Sequence, residues 1–323
     1  MKRAATVLIA VAGLAVLIAL LAWQRQRSAH GTGVHVAVRG GDGGGLPIAP
    51  PADEHFDAAA LEAAARDPAA AGLAAFIVMR HGHVIFERFG HGYSADTVID
   101  SGPLARVLVA LAAGIADQDG VLAGAALSGF NPARLREAIQ SGTHQAYADY
   151  LAERLWSRLN AAPAWIAIPA VGAMVPADCC FHARLIDWMR VGGLLVDDGS
   201  FEDTQVLGKG WVARMRRPLG PHSAEGFGIE LSPSAPGTPG APGARGFEVP
   251  DVFFVRGAGH WRLWLAPSLR LVVLFGAAGG GAARADSRPW NETRLPNLVI
   301  DALTERGPPT TGQPSLQQLV PGH

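Results

Sequence analysis

The sequence predicts an α/β fold: an antiparallel sheet flanked by helices from the N- and C-terminal parts of the domain, a helical subdomain between them, and one transmembrane helix ahead. Three observations predict it. Two β-rich runs, AAFIVMR and HVIFERF, flank a turn at His81-Gly82, the signature of a hairpin. Three more runs close the domain at residues 252–256, 261–265 and 271–275, separated by a Gly-rich turn and by Ala266-Pro267, as in an antiparallel meander. Between these groups Leu104, Leu108, Leu111 and Ile115 recur at helical spacing, so residues 103–118 read as one apolar helix central to the domain.

Taken from the start, residues 4–23 form an uninterrupted apolar run, and about 20 residues at a helical rise of ~1.5 Å match a bilayer's hydrocarbon thickness. Met1-Lys2-Arg3 precede it, Gln24-Arg25-Gln26-Arg27 follow it, and Ala22-Trp23-Gln24 lacks a small-x-small cleavage pattern. Residues 1–27 therefore read as an uncleaved signal anchor. Residues 28–52, with GGDGGG and an IAPP exit, show no periodicity and read as a flexible linker. Residues 53–66 carry Phe56, Leu61 and Ala65 on one side and stop before Asp67-Pro68, which marks a first helix. Pro103 suits the first position of the central helix because its missing N–H has no partner there, with Ser101 or Gly102 as cap.

Further on, Cys179 and Cys180 are the only cysteines; in an oxidising compartment they form a vicinal disulfide or remain two thiols, and the sequence leaves both open. Residues 232–246 are a Pro/Gly-rich loop without a glycine period, residues 290–305 a last helix, and residues 307–323 a disordered tail. His81, His83 and His91 lie at or near one turn with no Cys beside them. Zinc needs three or four convergent ligands, so no metal and no cofactor is assigned. With 27 basic against 28 acidic side chains and a net charge of −1, no basic field marks a nucleic-acid partner.

The segment YSADTVIDSGPLARVLVALAAGIADQDG carries a resemblance. Tyr93, Ala95, Asp96, Thr97, Ser101, Gly114, Ile115, Ala116, Asp119 and Gly120 keep, without a gap, the spacing of "Y-x-A-D-T…S-W-S-x-x-K-S…V-G-I-A…D-x-G". On these positions the chain resembles the serine β-lactamase-like and penicillin-binding-protein-like hydrolases, the group of class C β-lactamases, related esterases and D-amino-acid peptidases. Tyr150, Leu151, Leu155 and Trp156, then Asp187, Arg190, Gly192, Leu194 and Gly199, then Trp211 and Val212, and finally Gly257 and Gly259 match later family patterns in order, and the resemblance implies helices at 181–196 and 205–215. The resemblance implies a β-lactamase-like sandwich over residues 53–306, its sheet part at about 53–100 plus 247–305 and its helical part at about 103–216. That helical subdomain is truncated: only VLAGAALSGFNPARLREAIQ stands where the family inserts a long helical region.

The same resemblance places Pro103 at the nucleophilic Ser and Arg106 at the Lys base. Proline has no nucleophile, and a guanidinium stays protonated at neutral pH. The chain's two lysines, Lys2 and Lys209, complete no Ser-x-x-Lys, since Val206 stands three residues before Lys209 and nothing precedes Lys2 at that distance. Tyr93, Tyr147 and Tyr150 are followed two residues later by Ala95, Asp149 and Ala152, so the family's Tyr-x-Asn is missing too. The expectation is a catalytically degenerate domain with a cleft lined by Gly257, Gly259 and Trp261. It would act as a binding or accessory protein for an envelope protein or a cell-wall-derived ligand. The family's exported domains set the orientation: a single-pass bacterial inner-membrane protein with its domain in the periplasm. The alternative is a hydrolase with a relocated nucleophile, Ser101, served by His260 as base, with Arg106 binding a carboxylate.

Overall fold

The computed structural model describes residues 34–67, 70, 72–170, 173–221, 223–231, 246–277 and 292–305. The expected anchor at 4–23, most of the Pro/Gly-rich stretch and the C-terminal tail lie outside them; among the described residues no helix is long and apolar enough to cross a membrane.

A six-stranded antiparallel sheet organises the molecule. Its strands are β2 (Leu73–Arg80), β3 (His83–Phe89), β9 (Glu230–Leu231), β10 (Phe253–Arg256), β11 (Arg262–Ala266) and β12 (Leu271–Ala277), in the order β3-β2-β12-β11-β10-β9. The hairpin and the closing meander expected from sequence thus form one sheet, joined where β12 pairs with β2 from Leu271↔Arg80 to Gly276↔Ala75. Alternate side chains face opposite ways, and both faces are buried. Phe76, Val78, Trp264, Val273 and Phe275 pack on one side with Phe56, Leu61, Leu295, Val299 and Ile300. These last residues belong to or adjoin α1 (Ala58–Ala64) and the C-terminal helix Arg294–Asp301, which are the two flanking helices of the predicted sandwich. Asp57 caps α1, its carboxylate accepting from the Ala59 N–H at 2.8 Å, as an N-cap Asp does.

Ala75, Ile77, Met79, Leu263, Leu265, Val272 and Leu274 face the other way, into a core shared with the central helix. That helix, α2 (Arg106–Gln118), is entered through a 3-10 turn, Gly102–Ala105, and is buried from Val107 to Ala116. The small helical subdomain continues with α3 (Pro132–Thr143), capped by Asn131, and α4 (Tyr147–Leu151). Next come α5 (Leu185–Val196), buried throughout, and α6 (Trp211–Met215), leaving Arg294–Asp301 as α7. The predicted helices at 53–66, 205–215 and 290–305 are thus real but shorter. The one predicted at 181–196 begins as a strand, because Phe181–Arg184 pairs with two others.

That strand belongs to a second sheet which the sequence analysis does not anticipate. Strands β1 (His35–Val38), β4 (Val98–Asp100), β5 (Ala164–Ala167) and β6 (Phe181–Arg184) form it in the order β1-β5-β6-β4, while β7 (Ser200–Phe201) and β8 (Thr204–Gln205) make a separate hairpin. From residue 34 on, the second sheet corrects the reading of 28–52 as a flexible linker. β1 pairs with β5 from His35↔Ala167 to Val38↔Ala164. The Gly-rich run behind it is laid down as a strap: Gly41 N–H donates to the Ala161 carbonyl at 2.7 Å and Asp42 N–H to Asn160 Oδ1 at 2.8 Å. Gly40 is required there, since a Cβ would collide with the Ala161–Pro163 backbone. The strap ends with Leu46 buried and Ile48 bridged to Val84 of β3.

Candidate functional site

β4 delivers the chain to the start of α2, where the resemblance places the nucleophile. Ser101 N–H donates to the Phe181 carbonyl at 2.9 Å, and Gly102 N–H to Asp100 Oδ1 at 3.0 Å. Ser101 is fully buried, and its hydroxyl donates to the Gly102 carbonyl at 3.4 Å rather than to an imidazole. Pro103 is exposed in the turn that leads into the helix. One helical turn on, the Arg106 guanidinium lies 3.6 Å from the Glu225 carboxylate and 5.3 Å from the centre of the Phe130 ring.

The turn between β10 and β11 faces this helix start. Its Gly257 N–H donates to the Trp261 carbonyl at 2.8 Å, its Ala258 N–H to the Ser101 carbonyl at 3.1 Å, and its Trp261 N–H to the Ala258 carbonyl at 3.2 Å. These three donors are engaged within the protein, and Pro103 has no N–H to add. Contact is close: Gly102, at φ +50, has no room for a Cβ against Ala258, nor Gly257 against Trp261 Cβ and the Ser101 carbonyl. Trp261 is 8% exposed. Its indole lies over Gly276 and 6.4 Å from the Tyr93 ring. Of the three residues expected to line a cleft, Trp261 is packed against Gly276, Gly257 is buried beside the Trp261 Cβ, and Gly259 sits exposed at φ +59 on the turn. His260 is half-buried on the same turn.

Charged groups near the helix start are paired among themselves. Glu225 and Glu230 are bridged backbone to backbone, and the Glu230 carboxylate meets Arg256. Burial pushes the Glu230 carboxyl up from the ordinary carboxylate range against the opposing pull of Arg256. The Ser101 hydroxyl is bonded to the Gly102 carbonyl and the Arg106 guanidinium faces Glu225 and the Phe130 ring, so these two are not paired with each other as nucleophile and base.

Two matched family positions have structural roles. Asp187 and Arg190, each 1% exposed, lie 3.4 Å apart in α5, and Arg184 reaches Asp187 at 2.8 and 2.9 Å. Both guanidiniums also hold the strap, Arg184 at the Gly43 carbonyl (2.8 Å) and Arg190 at that of Gly44. Cys179 and Cys180 form the vicinal disulfide, with Cys180 at φ +65 and its carbonyl accepting from Ala167 N–H at 2.9 Å.

Sequence reasoning missed a cleft of about 620 Å3 formed between the β2–β3 turn, the strap, the β7–β8 hairpin and the β11–β12 turn. Its signals were scattered over four segments and carried no motif. Its hairpin turns at Glu202-Asp203, both residues at positive φ, 44° and 61°.

No family model and no curated protein matches the sequence. The fold is nevertheless similar to that of several solved structures. A putative 6-aminohexanoate-dimer hydrolase from Bacillus anthracis superposes with a TM-score of 0.59 at 14% identity, over 77% of this chain and 86% of that one. A putative beta-lactamase from Bacteroides dorei DSM 17855 gives 0.58 at 12%, over 77% and 100%. A penicillin-binding protein homolog from Caulobacter crescentus gives 0.55 at 13%, over 79% and 99%. The chain has the α/β fold of the β-lactamase-like and penicillin-binding-protein-like hydrolases.

Proposed function

We propose that this is a non-catalytic β-lactamase-like domain, an accessory or binding protein of the bacterial cell envelope. The observation that supports it most directly is the packing at the helix start: Ala258 N–H is bonded to the Ser101 carbonyl and Trp261 is buried against Gly276. A substrate acyl group entering there would have to displace an indole and break that bond. It would then meet proline where a hydroxyl is needed. The apolar run at residues 4–23 supports a single-pass inner-membrane anchor with the domain in the periplasm.

Intact-mass spectrometry of the purified full chain, after incubation with a fluorophosphonate and separately with a penicillin, tests the reading. The expected result is no covalent adduct with either reagent. A stoichiometric adduct that disappears in Ser101→Ala would establish the relocated-nucleophile hydrolase instead.

A further inference from the structure

We infer that the Cys179–Cys180 bridge is an exchangeable redox site whose reaction partner is a dithiol, and that opening it frees residues 173–180 from their fixed entry into β6. The inference does not rest on the proposed function.

A bridge between chain neighbours is a poor staple. Disulfides stabilise largely by closing a loop of the unfolded chain, and the effect grows with the length closed. Here the sequence separation is 1, so little loop entropy is removed. What the bridge fixes is local. Cys180 stands at φ +65, in the left-handed region that a residue with a Cβ avoids. Its carbonyl accepts from Ala167 N–H at 2.9 Å, and the next residue, Phe181, is already in β6, opposite Ile166. With the sulfurs separated, the ring no longer holds Cys180 left-handed, and the residue is free to take the extended conformation of the strand that follows it.

The surroundings suit exchange. Both cysteines are half-buried, which leaves their sulfurs within reach of a small thiol. Farther back, Arg136 of α3, itself 5% exposed, donates to the Val175 carbonyl and to the Met174 sulfur; the bridge lies between that hold and β6. Cys179 also borders a small void together with Ala105, Leu108 of α2, and Tyr147 and Leu151 of α4. Tyr147 is 2% exposed and its hydroxyl has no hydrogen-bond partner, an arrangement that costs stability. A thiol freed in that void supplies the S–H donor that a disulfide lacks.

The chemistry selects the partner. A thiolate of the reductant attacks one sulfur, the S–S bond breaks, and the other cysteine leaves as a thiolate and takes up a proton. That neighbouring thiol, one residue away, expels a monothiol and closes the bridge again. A dithiol's second thiol competes on equal intramolecular terms: it attacks the mixed disulfide, departs as the reductant's own disulfide, and leaves both cysteines as thiols. The protein is reduced and the dithiol oxidised.

The test treats the purified, oxidised full chain in native buffer with dithiothreitol or, at equal thiol concentration, with glutathione. Thiol titration, hydrogen-exchange mass spectrometry and a circular-dichroism melt follow. Dithiothreitol is expected to free both cysteines without denaturant, and glutathione to leave the bridge closed. In the reduced chain the amides of residues 173–180 should exchange about tenfold or more faster, while the melting temperature moves by no more than about 5 °C. Cys179→Ser/Cys180→Ser should exchange at the fast rate with or without dithiothreitol. Free thiols in the oxidised chain, a bridge that opens only in denaturant, equal opening by glutathione, or unchanged exchange at 173–180 after reduction would each overturn the inference. So would a melting temperature lowered by more than about 5 °C, which would make the bridge a structural staple.

Discussion

Gly276 is the seat of Trp261. A Cβ at that position would overlap the six-membered ring of the indole, while Trp261 Cβ in turn crowds Gly257. The sequence shows the bulky side chain at position 261. It does not show the glycine opposite, because cross-strand neighbours are set by register, here Arg262↔Phe275 in the adjoining β11–β12 pair, and register is a tertiary outcome. Two substitutions follow. Trp261→Ala removes a large buried side chain and is expected to cost about 3–5 kcal/mol. Gly276→Ala inserts an atom where the indole lies and is expected to cost about 1–3 kcal/mol. In the Trp261→Ala background the second change loses its clash, so the two costs are sub-additive. Chemical denaturation of the four proteins measures this, and strict additivity would show that the indole does not rest on Gly276.

At the scale of elements, what the sequence made legible depended on length and period. The eight residues of β2 and seven of β12 announce themselves by a β-rich run, and the heptad-like leucines announce α2. The strands of the second sheet have three or four residues each, too few to establish alternation. Phe181–Arg184 accordingly merged with the helix behind it. That sheet nevertheless has a clear outer row, Ala37, Trp165, His182 and Asp100, paired across all four strands. His182 stacks on Trp165 with ring centres 5.2 Å apart and planes within 6°. Burial lowers its pKa from the ordinary imidazole value, with His35 acting the same way and Asp100 opposing. The native state thus binds fewer protons at this site than the unfolded chain. Stability from it is full above the unfolded imidazole pKa of about 6.5 and falls as the pH drops through that value. His182→Phe keeps a ring on Trp165 and removes the titration. Its melting temperature should fall less than wild type's between about pH 8 and about pH 5; an equal fall in both would locate the acid sensitivity elsewhere.

For the molecule as a whole, the strap ties its N-terminal part to the helical side of the sheet. Composition hid it, since GGDGGG carries no side chains to make a pattern, and its contacts are made by backbone carbonyls with Arg184 and Arg190, about 140 residues away. Position 190 matched the family pattern, but the pattern did not reveal what its guanidinium would hold. The consequence is thermodynamic. A chain beginning at Pro51, a natural cut if residues 28–52 were only a linker, lacks β1, exposes the buried edge where Val38 and Leu46 pack, and takes the Gly43 and Gly44 carbonyls from two guanidiniums. Arg190 is 1% exposed, so it would keep Asp187 and the Leu159 carbonyl at 3.1 Å while losing another acceptor. A buried polar group left short of a partner costs about 1–3 kcal/mol, and the lost apolar packing adds about 1.5–3 kcal/mol per side chain. At roughly 2–4 °C per kcal/mol for a domain of this size, the truncated chain should melt about 10 °C or more below the full one by circular dichroism. A melting point within about 2 °C of the full chain's would mean that the strap contributes nothing to the fold and that the tether does extend to Pro51. The predicted loss instead places the start of the folded domain at β1. If residues 4–23 are the anchor proposed above, about 11 residues separate it from β1, at most ~40 Å of extended chain, and the domain stays close to the bilayer surface.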